Sequence, residues 1–584
     1  MDRQPLYFTI LILSILIGSS FYLSWSVDRG MGQVSVERLS IESAPGRSVE
    51  LLVFSPRTGT HLESMPVMLT LHGLTGTKEG LYAFNVELAR RNFTVVSIDL
   101  PGHGDSTTQF DITDFYTMAQ DAYAAVRHVQ TTFPDVDNES YGVLSHSLGF
   151  RVAIELMDFP IAPRAYAAVG DVGKLAQDEY VVFPENLLFA VGTADEIVSQ
   201  QDALQAIQVA TGDESATSGI TYGSLDNQTA YRLAFGPSNH ALEVVDSTLV
   251  NEAVSWLVQG VQGEVQFLDT LDPADQVYSS KTIVTITVSV LLLISVIPVM
   301  WLAYSFLPEK LKPRRIPLDA PTHSFTKTLG ISSVLGAGTV VIFVAASLLG
   351  LSLEDFGVLW LSSMSTTGFI LFLVSATIGL SIVMRLLMGY DNTKKSLSSV
   401  GIERLKIKEH VSEILKNLII AGVAITWFLI WLAIAGMPDT SQPNILLVLV
   451  KWPVGVRGIN TLILMILAIP FFLVEASWIR GILLSNREWS GSFQNTKHLI
   501  FSVISKFAIA GLLTIIVIFG TTAVGVSSGR IVLLGVVWVR IIIVQFLASV
   551  ILTWSALKFE NTWSTVIVSA FLLSLVIVTT VPLI

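Results

Sequence analysis

The sequence predicts two parts of different fold class: an α/β domain on a largely parallel sheet of eight strands, and an all-α multi-pass bundle of transmembrane helices. Three observations predict this. The 584 residues are 51% hydrophobic and only 14% charged, against about 25% charged in an ordinary soluble chain, and mean hydropathy is +0.62. The apolar residues fall in one run near the start and in a series of runs after about residue 280. Between them, short β-branched runs alternate with helical patterns. Charge divides at the same place: residues 28–280 hold 12 Lys and Arg against 34 Asp and Glu, a net of −22, whereas residues 281–584 hold 22 against 12, a net of +10. An acidic domain of this kind argues against nucleic acid as a partner. The chain has no Cys, which excludes disulfides, thiolate zinc sites and cysteine nucleophiles together.

The first apolar run, 6–23 (LYFTILILSILIGSSFYL), is long enough to cross about 30 Å of hydrocarbon. No small-residue cleavage site follows it, so residues 1–27 read as an uncleaved signal-anchor. Eight further spans are expected at about 282–306, 326–350, 357–384, 416–436, 459–484, 499–525, 531–556 and 563–583. Lys and Arg accumulate on the cytoplasmic side of membranes, and alternate loops here carry them: Arg3, then Lys310, Lys312, Arg314 and Arg315, then Lys394, Lys395, Arg404, Lys406 and Lys408, then Arg487 and Lys497, then Lys558. The intervening loops, such as LSLEDFG and GMPDTSQPN, carry almost none. This pattern puts the N-terminus in the cytoplasm, and the domain at 28–280 and the C-terminus outside, with residues 281–584 as the membrane domain. The triplets at Asn92, Asn138 and Asn227 fit glycosylation sites on that outward domain, as weak support. The stretch Lys451 to Arg457 reads as an outer-face interfacial segment.

Strands are expected at 33–43, 48–55, 67–71, 94–99, 141–146, 165–170, 187–192 and 230–235. Helices are expected near 80–91, 112–131, from 148, at 199–210 and at 241–259. Continuous apolar strands separated by helices indicate a parallel sheet covered on both faces. Ligands on such sheets gather at the carboxyl ends of strands, so the strand-to-helix junctions are where chemistry is to be sought.

Four junctions carry it. In Leu144-Ser145-His146-Ser147-Leu148-Gly149-Phe150, a serine with small residues two places either side fits a sharp turn that lifts its hydroxyl above the sheet edge; the competing reading of Ser147 is a helix N-cap. Leu71-His72-Gly73-Leu74-Thr75-Gly76 lets the backbone approach a reacting carbon, and a tetrahedral oxyanion needs two N–H donors, here assigned to Leu74 and Leu148. Asp195, in Val191-Gly192-Thr193-Ala194-Asp195-Glu196, is placed to accept an imidazole N–H. Asp171 is the second candidate, and Glu196 reads as a solvated loop charge. In Gly236-Pro237-Ser238-Asn239-His240, the imidazole of His240 suits shuttling the serine proton. It is the one histidine of nine between Asp195 and the membrane half.

With these motifs in place, residues about 33–262 resemble an α/β-hydrolase domain. The stretch Asp99-Leu100-Pro101-Gly102-His103-Gly104-Asp105-Ser106 is similar to the turn after the fourth strand in many esterases, lipases and serine peptidases of that fold. The resemblance implies a Ser147–His240–Asp195 triad, leaves His103 and His146 as structural or pocket-lining residues, and calls for no metal or organic cofactor. Only about 16 residues (171–186) stand where such enzymes often carry a cap, implying a minimal lid and an open cleft walled by the membrane half or lipid. The expected partners are the bilayer and a small-molecule or lipid acyl ester, with a peptide as the alternative substrate. A hydrolase-shaped sensor domain regulating a transporter-like bundle is the reading from another class. Within the spans, Glu475, Lys506 and Arg540 stand out as costly charges. Glu475 and Arg540 are expected to pair, and Lys506 to snorkel.

Overall fold

The computed structural model describes residues 3–584 except 58–63, 176–178, 264–270, 317–322, 364, 402–406, 437–443, 446–447, 450–451, 454, 485–493 and 524–528. Arg404, Lys406 and Arg487 among the loop charges, most of the loop GMPDTSQPN, and Lys451 and Val454 of the interfacial segment lie outside the described residues. The chain divides into two compact units, one of residues 18–288, 434–451 and 580–584, the other of 1–17, 289–433 and 452–579.

The first unit is built on a sheet of nine strands, in the order β1-β2-β4-β3-β5-β6-β7-β9-β8. These are β1 (Val34–Ala44), β2 (Arg47–Pro56), β3 (Met65–Leu71), β4 (Thr94–Ile98), β5 (Val136–His146), β6 (Tyr166–Val169), β7 (Leu187–Gly192), β8 (Thr221–Tyr222) and β9 (Tyr231–Gly236). The six strands from β4 across to β9 run parallel, while β1, β2 and β8 add antiparallel edges. One strand more than expected is present, because β8 is only two residues long and carries no hydrophobic pattern. Every residue of β3, β4, β6 and β7 is buried, which is why these strands read as unbroken apolar runs: helices cover both faces. On one face lie α2 (Tyr82–Ala89) and α6 (Ser247–Leu257), sharing a core with Met68, Val95, Leu144 and Ala167. On the other, α3 (Phe115–Thr132) packs on α4 (Leu148–Glu155). The α5 helix (Gln200–Thr211) follows β7.

Several boundaries differ from the expectation, among them the start of β5, which lies at Val136 and not 141. The final helix starts at Ser247, not 241, because Asp246 caps it by accepting from the N–H groups of Thr248 and Leu249, and a separate turn occupies Glu243–Val245. Residues 580–584 join this unit, where the N–H of Leu583 donates to the carbonyl of Gly102 at 2.8 Å and the N–H of Phe110 donates to the carbonyl of Leu583 at 2.8 Å. Apart from 176–178, the short segment 171–186 contains one isolated bridge, Lys174 to Tyr180, and no helix.

The chain leaves β3, turns out through β4, then returns past β3 to β5, so strand order reverses beside β3. Such a reversal opens a crevice at the carboxyl ends. The loops there are held by a buried ionic knot. Asp99, after β4, accepts the N–H of Lys78 and that of Asp105, each at 2.8 Å, and pairs with the Lys78 ammonium, which also meets Asp105. The side chains of Lys78 and Asp99 are both fully buried. Burial opposes the charge on Lys78, but Asp99, Glu79 and Asp105 together raise its pKa.

Among the described residues, nine helices are long and apolar enough to cross a membrane: Gln4–Asp28, Ser279–Phe306, Phe325–Glu354, Thr366–Met388, Val411–Ala435, Gly455–Leu483, Gln494–Leu513, Val537–Lys558 and Trp563–Thr580. The expected span at 357–384 begins later, at Thr366, after a non-helical stretch. The pairing expected of Glu475 with Arg540 is replaced by another: Lys506 Nζ lies 2.8 Å from Glu475 Oε2 and donates to Ser549 Oγ at 2.8 Å. Lys506 therefore does not snorkel; its side chain is 3% exposed.

Removing one partner of a buried ion pair leaves an uncompensated charge and costs about 3–5 kcal/mol. Asp99→Ala is expected to destabilise the sheet unit by about that amount, read as a fall in its thermal or denaturant midpoint with the apolar helices unaffected.

Candidate active site

The β5 strand ends at His146 and α4 begins at Leu148, so Ser147 must make the whole turn between them. It does so with φ 51° and ψ −124°, a region that costs a residue with a side chain about 1–3 kcal/mol. Neighbouring bonds hold it there: its N–H donates to the carbonyl of Val169 on β6 at 2.8 Å, and its own carbonyl accepts from the N–H of Phe150 at 2.9 Å. Small neighbours are required by contact. A Cβ at Gly149 would lie 2.4 Å from the carbonyl oxygen of Leu71. Ser145, standing where a glycine is usual, is 1% exposed and fits beside β6. The Ser147 hydroxyl makes no capping bond to α4. Its Oγ lies 3.0 Å from His240 Nε2.

His240 and Asp195 reach each other from the ends of β9 and β7. Backbone bonds lock the two loops together, Thr193 N–H to the Gly236 carbonyl at 2.7 Å and Ala194 N–H to the Ser238 carbonyl at 3.0 Å. Gly192 allows this approach, since a Cβ there would meet the Ser238 carbonyl oxygen at 2.3 Å. His240 Nδ1 lies 2.9 Å from Asp195 Oδ2, while Asp195 Oδ1 accepts from the N–H groups of Ile197 at 2.6 Å and Val198 at 2.9 Å. With Nδ1–H donating to the carboxylate, the lone pair of Nε2 is left facing the serine hydroxyl. Burial opposes charge on both groups, yet the Asp195 hydrogen bond and charge, with Glu196 and Asp171, raise the His240 pKa, and the bond to His240 lowers that of Asp195.

The turn after β3 presses on this arrangement. A Cβ at Gly73 would lie 2.9 Å from both Ser147 Cβ and His146 Nδ1. His72 fixes the turn by donating from Nδ1 to the Gly73 carbonyl at 2.8 Å, while its Nε2 accepts from the Leu100 N–H at 3.1 Å. That positioning role for His72 was not read from the sequence; it depends on the β4 loop folding over β3. Leu74 lies in the same turn and Leu148 opens α4, both half-buried. The His103 ring packs against the rings of His72 and Phe110 at 5.1 and 5.0 Å.

A second layer of carboxyls surrounds the histidine. Glu196 is not a solvated loop charge: its Oε2 accepts the N–H of His240 at 3.1 Å. Asp171 turns away to Arg151, at 3.2 and 3.3 Å, and accepts from the N–H of Gly173. Glu243, which sequence reasoning passed over, is fully buried, and its Oε1 accepts the N–H of Gly192 at 2.6 Å. Among the described residues, His146, His240 and Glu243 are a group whose ligand atoms fall within 4.8 Å of one another. The two ring nitrogens concerned are already donors, His146 Nε2 to the His240 carbonyl at 3.1 Å and His240 Nδ1 to Asp195. A metal there would have to break both bonds. Burial, then His240, pushes the His146 pKa down to about 3, so its ring is neutral.

The parallel sheet, its reversal beside β3 and the serine turn at the end of β5 define this unit as an α/β-hydrolase domain. Residues 63–170 match the family model described as serine aminopeptidase, S33. A stretch of 107 residues is 35% identical to the dihydrolipoyllysine-residue acetyltransferase component of the acetoin cleaving system of Cupriavidus necator, covering 18% of this chain and 26% of that one. The chain thus spans about a quarter of the length of this curated relative. Among solved structures it is similar to a cold-adapted esterase from an Arctic intertidal metagenomic library, with 21% identity over 39% of this chain and 95% of that one, at a TM-score of 0.29. An epoxide hydrolase from Vigna radiata shares 19% identity over 23% of this chain and 40% of its own, at a TM-score of 0.19.

The pH dependence of the Asp195–His240 pair follows from the two directions. His240, with its pKa raised, adds stability that is fully present below its ordinary value of about 6.5 and lost as pH rises through the raised one. Asp195, with its pKa lowered, adds stability present above about 3.9 and lost as pH falls through the lowered one. Asp195→Asn is therefore expected to destabilise the unit most between about pH 4 and 6.5, and progressively less in alkali, as read from thermal midpoints across a pH series.

Proposed function

We propose that this chain is a membrane-embedded serine hydrolase whose active domain works outside the cytoplasm. The observation that carries the reading is the line of contacts from the Ser147 hydroxyl through the His240 ring to Asp195, at 3.0 and 2.9 Å. Ser147 Oγ attacks the carbonyl carbon of an ester, thioester or amide as His240 Nε2 takes its proton, and Asp195 stabilises the resulting imidazolium. The N–H groups of Leu74 and Leu148 hold the oxyanion of the tetrahedral intermediate. Its collapse expels the alcohol, thiol or amine, which leaves with the proton from His240. Water, deprotonated by the same nitrogen, then releases the acid and restores the serine.

Ester substrates are favoured, because segment 171–186 is short and the sequence carries no large gating insert that would select peptides. The family description over residues 63–170 is that of a serine aminopeptidase, and this supports a peptidase as the second reading. A sensor domain has no need of all three groups in line, which argues against a purely binding role.

Ser147→Ala is expected to abolish fluorophosphonate labelling of the purified full-length protein and to lower kcat by about 10⁶-fold, the loss typical of removing such a nucleophile. A panel of acyl esters, thioesters and peptides on the parent, with this variant as control, separates the two substrate classes. A folded parent that takes no label overturns the reading.

The outward placement rests on the alternation of Lys and Arg between loops. Because the chain lacks Cys, one introduced thiol reports it. Val182 is 81% exposed, and Val182→Cys is expected to react with a membrane-impermeant maleimide on intact cells. Reaction only after the cells are opened would reverse the assigned orientation.

A further inference from the structure

Glu243 lies behind the imidazole, and the triad as described gives it no task. Its carboxyl is fully buried. One oxygen, Oε1, accepts the Gly192 N–H at 2.6 Å and so ties Glu243 to the end of β7, the strand that presents Asp195. The other, Oε2, lies 3.6 Å from His240 Nδ1 and 3.5 Å from His146 Nε2. Neither is a donor to it, for the first gives its proton to Asp195 and the second to the His240 carbonyl. Among the described residues no N–H or O–H is aimed at Oε2. It shares the side of the ring at Nδ1 with Asp195, whose Oδ2 lies 2.9 Å from that nitrogen while Glu243 Oε2 lies 3.6 Å from it, so the two carboxyls are close neighbours.

Two buried carboxylates in contact cannot both be ionised. The surroundings decide which one keeps the proton. Asp195 accepts three N–H groups, from Ile197, Val198 and His240, whereas Glu243 accepts one. Burial and the charge of Asp195 hold the Glu243 carboxyl far above the usual carboxylate range. The backbone makes room for this acid: a Cβ at Gly170, where φ is +66°, would lie 2.1 Å from Glu243 Oε2 and 3.0 Å from His240 Cε1.

We propose that Glu243 is a positioning residue of the Ser147 site, a neutral carboxylic acid whose Oε2–H donates to the Asp195 carboxylate and holds it on the His240 ring. The proposal rests on the serine hydrolase reading and deepens it. The titratable groups around the ring are then the carboxyls of Asp195 and Glu196, Asp171 paired with Arg151, and the uncharged His146 and Glu243. An ionised Glu243 would add a second buried anion beside the imidazole and favour its charged form, which cannot accept the serine proton.

The test compares parent, Glu243→Gln and Glu243→Ala as full-length proteins, by the pH profile of kcat/KM on an ester and by infrared spectroscopy. The amide of Glu243→Gln keeps both bonds, donating to Asp195 and accepting from Gly192, so its rate is expected to stay within a few-fold of the parent with the same acidic limb. Glu243→Ala removes both and is expected to lose about 10²-fold, with the acidic limb moved to higher pH because Asp195 no longer shares its charge with a donor. The C=O stretch of a protonated carboxylic acid is expected in the parent and absent from Glu243→Gln. A glutamine variant as impaired as the alanine one overturns the proposal, as does an alanine variant with an unmoved limb. A parent that labels with fluorophosphonate but lacks the acid band overturns the Glu243 assignment alone. A folded parent that fails to label overturns the catalytic reading, and the positioning role with it, even where the acid band is seen.

Discussion

The Ser147 hydroxyl meets the His240 ring only because residue 147 is held in a backbone conformation that serine ordinarily avoids. With φ at 51°, the strand-to-helix turn is tight enough to lift the side chain clear of the sheet edge. Its cost, about 1–3 kcal/mol, is offset by bonds at about 1 kcal/mol each from Val169 and Phe150 and by the burial of β5 between β3 and β6. Everything else at the crevice is arranged around that raised hydroxyl. The turn at Gly73 approaches it to contact distance, and the locked loops of β7 and β9 bring Asp195 and His240 in from the other side.

The domain treats its buried charges in two ways. At the base of the β3 and β4 loops, a lysine and an aspartate are both ionised, and each is surrounded by partners, so Asp99 spends its oxygens on two N–H groups and an ammonium. Behind the histidine, donors are too few for two anions, and a neutral acid solves the same problem. The number of N–H groups aimed at each carboxyl separates the cases.

The parallel sheet and the residues at its carboxyl edge were legible because each leaves a local mark: Ser147 between small residues, Asp195 and His240 just past apolar strands, glycines where backbones touch. The supporting shell left none. Glu243 falls in what reads as the first turn of a helix, and only the cap at Asp246 shows that residues 243–245 form a separate turn pointing inward. Glu196 looked solvated because its partner is a backbone N–H forty-four residues away. The two-residue β8 is too short for any periodicity to register. Among the apolar helices, hydropathy located the long apolar segments but not their rotation, so the partner of Glu475 was misassigned while the presence of buried charge was not.

Gly170 and Glu243 occupy one volume: the hollow left by the missing Cβ at 170 is filled by an oxygen from 243. The two positions are therefore sterically coupled, and the left-handed φ of +66° constrains Gly170 a second time. In descendants of this chain, a bulkier residue at 170 would evict the acid, and a shortened residue at 243 would open a void beside the imidazole.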